Sequence, residues 1–97
     1  MARKKKHYAK YWYPYVNRCV LHVMQELTES EDSEMIRRIA IAIVLALYHT
    51  PETERNYINA LLEGKTAKEL SSDTMNKRTI EKMYNRFIYT VGYYMGF

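Results

Sequence analysis

The sequence predicts an all-α fold of about five helices, with two N-terminal helices packed on a C-terminal three-helix unit. Three observations predict it. Glycine and proline are scarce, three and two in 97 residues, too few for a turn-rich sandwich or barrel. Apolar residues recur at i, i+3, i+4 and i+7 in several segments, the one-face period of a helix. Short polar stretches with helix-starting and helix-ending residues separate these segments. The length suits one domain, and a hydrophobic content of 47% suits a chain that folds around one core.

Residues 1–10 read as a mobile basic arm, because Arg3, Lys4, Lys5, Lys6 and Lys10 repel one another and nothing there can pack. The single helical domain then covers residues 11–97. Its first helix begins near Pro14, which suits a first turn. Val16, Cys19, Val20, Val23, Met24 and Leu27 form its apolar stripe. The polar break "TESEDSE" offers two caps for the second helix, Thr28 with Glu31 or Ser33. That helix runs to about His49. Its "IAIAIVLALY" is apolar on nearly every face, so it is expected to be the central, most buried helix.

The third helix is bounded by Thr50 as cap, Pro51 in the first turn and Gly64 as a left-handed terminator. Tyr57, Ile58, Leu61 and Leu62 are its buried stripe. Thr66 caps a short fourth helix, with Glu69 completing a capping box. The fifth helix starts after Asn76 and runs to Tyr94 or Met95. Ile80, Met83, Tyr84, Phe87, Ile88, Val91 and Met95 share one face; Arg78, Glu81, Lys82, Asn85, Arg86 and Tyr89 share the other.

The residue supply speaks against an enzyme. The three histidines are far apart, no carboxylate pair accompanies them, and Gly64-Lys65 lacks the upstream glycine of a P-loop. His22 reads as a helix-surface or boundary residue, and His49 as a helix C-terminal residue favoured by the dipole. Cys19, the one cysteine, reads as a buried inert thiol. No metal or other cofactor is expected. The lone cysteine and the absence of a signal-peptide pattern suit a cytoplasmic protein. The longest apolar run, residues 39–48, is half the length of a membrane span, so no membrane partner is expected.

The net charge of +4 is unevenly laid out. Residues 1–10 carry five basic residues and no acid, residues 11–63 four and eight, and residues 64–97 six and three, giving +5, −4 and +3. A polyanion would be met by the two ends. The region 51–95 has the parts of a helix-turn-helix, which needs a short helix, a turn and a second helix facing the major groove. Asn76, Arg78, Thr79 and Lys82 stand at the start of the last helix as base-contacting candidates, with residue types suited to adenine and guanine edges. Lys65, Thr66, Lys68, Lys77 and Arg86 are the phosphate-contacting candidates. The arm, Arg3 to Lys6, would add salt-sensitive affinity.

The stretch "TPETERNYINALLEGKTAKELSSDTMNKRTIEKMYNRF" resembles the helix-turn-helix of bacterial sigma-factor region 4 and the LuxR-type domains. The pieces that match are Gly64, Thr66, Glu69, Leu70, Ser71, Asn76, Thr79 and Ile80. The whole chain is similar to small phage transcription regulators of the ArpU type. The resemblance covers roughly residues 50–97, and it implies sequence-specific duplex DNA binding in transcription regulation, with RNA polymerase as a further partner. Two features depart from the pattern: the spacing from Glu69 to Thr79 is one residue shorter, and Ser72, Asp73 and Thr74 replace a second apolar residue.

The alternative is a helical protein-interaction or assembly module without nucleic-acid binding. Its tyrosine-rich ends, "YWYPY" and "YTVGYYMGF", would make a homodimer or hold another protein. The preferred reading of these clusters is a shared core patch joining the first and last helices. RNA is a third, weaker candidate partner, since a basic arm does not distinguish RNA from DNA.

Overall fold

The computed structural model describes the backbone of residues 2–26 and 33–97, and the side chains of residues 11–25 and 33–97. The fold is all-α. Its helices are α1 (Ala2–Leu21), α2 (Glu34–His49), α3 (Glu52–Leu62), α4 (Ala67–Leu70) and α5 (Lys77–Tyr94), with no strand among the described residues. A π-helical turn, His22–Glu26, follows α1 directly.

The core is one cluster drawn from four helices. Val16 and Val20 come from α1, Ile39, Ala42, Ile43 and Ala46 from α2, Ile58 and Leu62 from α3, and Met83, Phe87, Ile88 and Val91 from α5. Fully burying one of the larger aliphatic side chains is worth about 1.5–3 kcal/mol. The hub is α5, which packs against α1, α2, α3 and α4. The expectation that α2 is the central, most buried helix is therefore corrected. One face of α2 enters the core, while Ile41, Val44, Leu45 and Tyr48 on the other face are exposed.

The start of the first helix also differs from the expectation. The backbone is helical from Ala2, so Pro14 lies inside α1 rather than in its first turn. Alanine, lysine and arginine are strong helix formers, and the turn before Pro14 is held from outside. Trp12 stands edge-on to Tyr89, and Tyr13 donates a hydrogen bond to Asn85 Oδ1 on α5. These contacts offset the backbone bond that a mid-helix proline removes. The stripe expected along the first helix holds at Val16 and Val20, with Cys19 and Val23 half-buried. It breaks at Met24, which is exposed because the π turn shifts the helical phase. Gln25 Nε2 then donates to the Leu62 carbonyl at 2.9 Å and ties this turn to the end of α3.

Local chemistry sets most helix ends. Ser33 caps α2, its hydroxyl accepting from the Ile36 N–H at 3.2 Å; Thr28 and Glu31 lie outside the described residues. Thr50 does not cap α3. Its hydroxyl donates to the Ala46 carbonyl at 2.7 Å, and Pro51 takes the cap position without a side-chain bond. Gly64 ends α3 with φ +108°, its N–H reaching the Leu61 carbonyl while Lys65 N–H reaches the Ala60 carbonyl. That pair of bonds is a Schellman motif. The same motif closes α5 at Gly96, φ +100°, where Gly96 N–H bonds to Tyr93 and Phe97 N–H to Gly92.

Candidate nucleic-acid interface

The candidate interface is built from α4, the 71–76 turn and the first half of α5. Thr66 caps α4 through a capping box: its hydroxyl accepts from Glu69 N–H at 3.2 Å, and Glu69 Oε1 accepts from Thr66 N–H at 3.1 Å. The helix is a single turn, four residues, with Ala67 and Leu70 half-buried. The polar stretch that follows closes on itself. Ser71 Oγ donates to the Lys68 carbonyl, and the Ser72 and Met75 backbones exchange hydrogen bonds at 2.8 and 3.3 Å. Half-buried Met75 packs against the core, which supplies the apolar anchor that Ser72 and Thr74 lack. The turn is thus held by local polar bonds on its outside and by one methionine on its inside.

Asn76 opens α5, with its Oδ1 accepting from the Thr79 N–H at 2.8 Å. The faces of α5 separate as the spacing predicts. Ile80 is fully buried, Met83 nearly so, and Lys77, Arg78, Thr79, Glu81 and Lys82 are exposed. Arg78, Lys82 and Arg86 lie four residues apart, on one line along the outward face. The line continues through Tyr89 to Tyr93, which is 71% exposed. Sequence reasoning did not include Tyr93 in the candidate site, because a tyrosine in an aromatic cluster reads as core.

The candidate residues fall into four groups. Lys65, Lys68, Lys77, Arg78 and Lys82 are exposed and make no ion pair among the described residues. Asn76, Thr66 and Arg86 have other work. The Asn76 carboxamide oxygen is occupied as a helix cap, so a two-point contact to adenine would open the first turn of α5. Thr66 places its hydroxyl and N–H on the Glu69 carboxylate, so an acid sits at that helix end. Arg86 reaches across to Glu54 of α3, with Nη1 at 3.2 and 3.3 Å from the two carboxylate oxygens. The Arg86–Glu54 pair depends on tertiary placement, which spacing alone does not encode. Thr79 is exposed and lends its backbone N–H to the cap. The side chains of Arg3, Lys4, Lys5 and Lys6 lie outside the described residues.

The remaining chemistry-bearing groups do not gather. Among the described residues no three His, Cys, Asp or Glu side chains come together as a metal site requires. Cys19 is half-buried against the core beside Tyr15. His49 is exposed and stacks on Tyr94, with ring centres 5.9 Å apart. Among the described residues no helix is long and apolar enough to cross a membrane.

Comparison with protein families, with curated proteins and with solved structures returned no match. The likeness to sigma-factor region 4 rests on the motif residues alone.

Proposed function

We propose that the chain binds duplex DNA sequence-specifically, as a transcription regulator, through the first half of α5. The observation that carries the reading is the set of five exposed cations, Lys65, Lys68, Lys77, Arg78 and Lys82. None is ion-paired among the described residues, and they stand around one turn and one helix end anchored by Met75, Ile80 and Met83. Arg38 and Arg86, by contrast, pair with Glu34 and Glu54. In this reading Arg78 and Lys82 meet base edges, and Lys65, Lys68 and Lys77 hold phosphates. Thr79 stands beside them. Asn76 positions the helix rather than reading a base. The motif likeness supports phage late-gene control as the setting and RNA polymerase as a further partner.

The test is Arg78→Ala, with binding measured on a duplex selected from a random pool and on an unselected duplex. The expected result is loss on the selected duplex that exceeds loss on the unselected one by about 1–3 kcal/mol. Equal loss on both would make Arg78 a phosphate contact and remove it from base reading.

A further inference from the structure

The outward line of α5 does not end where its cations do. At about 3.6 residues per turn, Arg78, Lys82, Asn85, Arg86, Tyr89 and Tyr93 fall within an arc of roughly 100°. No acidic residue lies in that arc; Glu81 stands to one side of it. The open charge on the line belongs to Arg78 and Lys82, which are exposed and make no ion pair among the described residues. Arg86 is engaged by Glu54. Beyond Arg86 the line turns aromatic. Tyr89 is 43% exposed and Tyr93 71%, and the helix rises about 16 Å from Lys82 to Tyr93. Both rings are held by neighbours. Tyr89 stands nearly perpendicular to Trp12 and to Tyr13, with ring centres 5.8 and 5.4 Å away. Tyr93 stands nearly perpendicular to Tyr94 at 5.3 Å, and Tyr94 stacks on His49. A ring that is already held, yet open to solvent, loses little freedom when a flat ligand stacks on it.

We propose that Tyr89 and Tyr93 stack on unpaired bases, so that α5 holds a junction. A DNA duplex lies along its first half, and a single strand leads out of that duplex along its second half. The inference rests on the reading of α5 as a duplex-binding helix. The chemistry of the two halves differs as a junction requires. Arginine and lysine suit phosphates and base edges, which a closed duplex presents. A tyrosine ring suits the flat face of a base, which a duplex hides between neighbouring pairs and a single strand exposes. Cations that follow phosphates, interleaved with rings that take bases, are the general means of holding a single strand. The occupant is a polyanion rather than a protein, because the line carries two unpaired cations and no acid. The tyrosine hydroxyls offer a second chemistry, a hydrogen bond to phosphate, and the experiment separates it from stacking.

The experiment is fluorescence anisotropy of the whole chain at low salt. The probes are a selected duplex that is blunt, the same duplex with a single-stranded oligothymidine tail at either end, and the same duplex with an abasic tail of equal length. The thymidine tail is expected to raise affinity roughly tenfold over the blunt duplex. The abasic tail, equal in charge, is expected to give only a small part of that gain. Tyr93→Ala is expected to remove the gain and to leave affinity for the blunt duplex unchanged. Tyr93→Phe is expected to keep it, because stacking needs the ring and not the hydroxyl. Position 93 faces solvent, and circular dichroism verifies that both variants keep their helices. Tails that add nothing to a bound blunt duplex overturn this inference and leave duplex binding standing. A gain that the abasic tail reproduces in full, or that Tyr93→Ala leaves intact, overturns it as well. Equal loss in Tyr93→Phe and Tyr93→Ala would make Tyr93 a phosphate contact and overturn stacking. A blunt duplex that does not bind overturns the duplex reading, and the junction with it.

Discussion

The indole of Trp12 occupies the space that a side chain at position 92 would need. A β-carbon built on Gly92 would lie 2.3 Å from Trp12 Cζ3. α1 and α5 approach closely at this point because Gly92 has nothing to offer but backbone. The ring is pinned on two further sides, stacked on Phe97 at 5.6 Å and edge-on to Tyr89 at 5.8 Å. Phe97 reaches it because the Schellman turn at Gly96 folds the last residue back.

Gly92→Ala therefore sets two effects against each other. Replacing a mid-helix glycine by alanine is worth about 0.5–1 kcal/mol in helix propensity. Overpacking a filled site costs about 1–3 kcal/mol. A separation of 2.3 Å from a ring held on two sides leaves no soft neighbour to yield, so the cost is expected to win. Chemical denaturation should show net destabilisation, with a changed near-ultraviolet signal from Trp12, the only tryptophan. A more stable variant would mean that Trp12 moves freely.

The second expectation separates structure from recognition at the start of α5. Asn76→Ala should cost about 0.5–2 kcal/mol of stability, the usual value of a lost cap. Its ratio of selected to unselected duplex binding should stay near that of the native chain. A variant that keeps full stability and loses discrimination would return Asn76 to the base-reading set.

A third expectation concerns alkaline pH. Burial pushes the Tyr13 phenol up to about 12, helped by Tyr89, and pushes Tyr84 up as well, helped by Tyr13. Each donates its hydroxyl hydrogen across the α1–α5 contact, Tyr13 to Asn85 and Tyr84 to Asn17. With folded values raised above the ordinary 10.0, the neutral phenols stabilise the fold fully below pH 10. For Tyr13 that stability is lost as pH rises from there through about 12. Lysines titrate in the same range, so the comparison is with Tyr84→Phe. The variant should lose about 0.5–1.5 kcal/mol at neutral pH and show a shallower fall in denaturation midpoint above pH 10. An unchanged slope would show that Tyr84 ionises as freely in the folded chain as in the unfolded one.

Arg86→Ala is expected to be nearly silent. An ion pair whose arginine is 64% exposed is worth at most ~1 kcal/mol, and Arg86 is held by Glu54 rather than presented to a ligand. Stability and duplex affinity should both change little, whereas Lys82→Ala should weaken duplex binding. If Arg86→Ala and Lys82→Ala weaken binding equally, Arg86 exchanges Glu54 for phosphate on contact.

Much of this architecture was legible in the sequence where the signal is local. The capping box at Thr66 and Glu69, the left-handed Gly64 and the split faces of α5 are each set by residues within four positions of one another. What escaped was set by distant partners. Pro14 sits inside α1 because Trp12 and Tyr13 are held by α5. The pairing of Arg86 with Glu54 was not visible because the two lie 32 positions apart. The apolar run of α2 showed that the helix is hydrophobic on all sides but not that this chain covers only one of them.

The central claim, duplex binding by the exposed cations around α5, is tested most directly by fluorescence anisotropy with a labelled duplex at low and moderate salt. Three phosphate contacts imply that affinity falls roughly fortyfold between about 50 and 200 mM salt. The expected result is binding at the lower salt that weakens by that factor, with Lys65→Ala and Lys68→Ala each reducing the salt slope by about one. No binding at low salt, or binding with a slope that these substitutions leave unchanged, would contradict the claim.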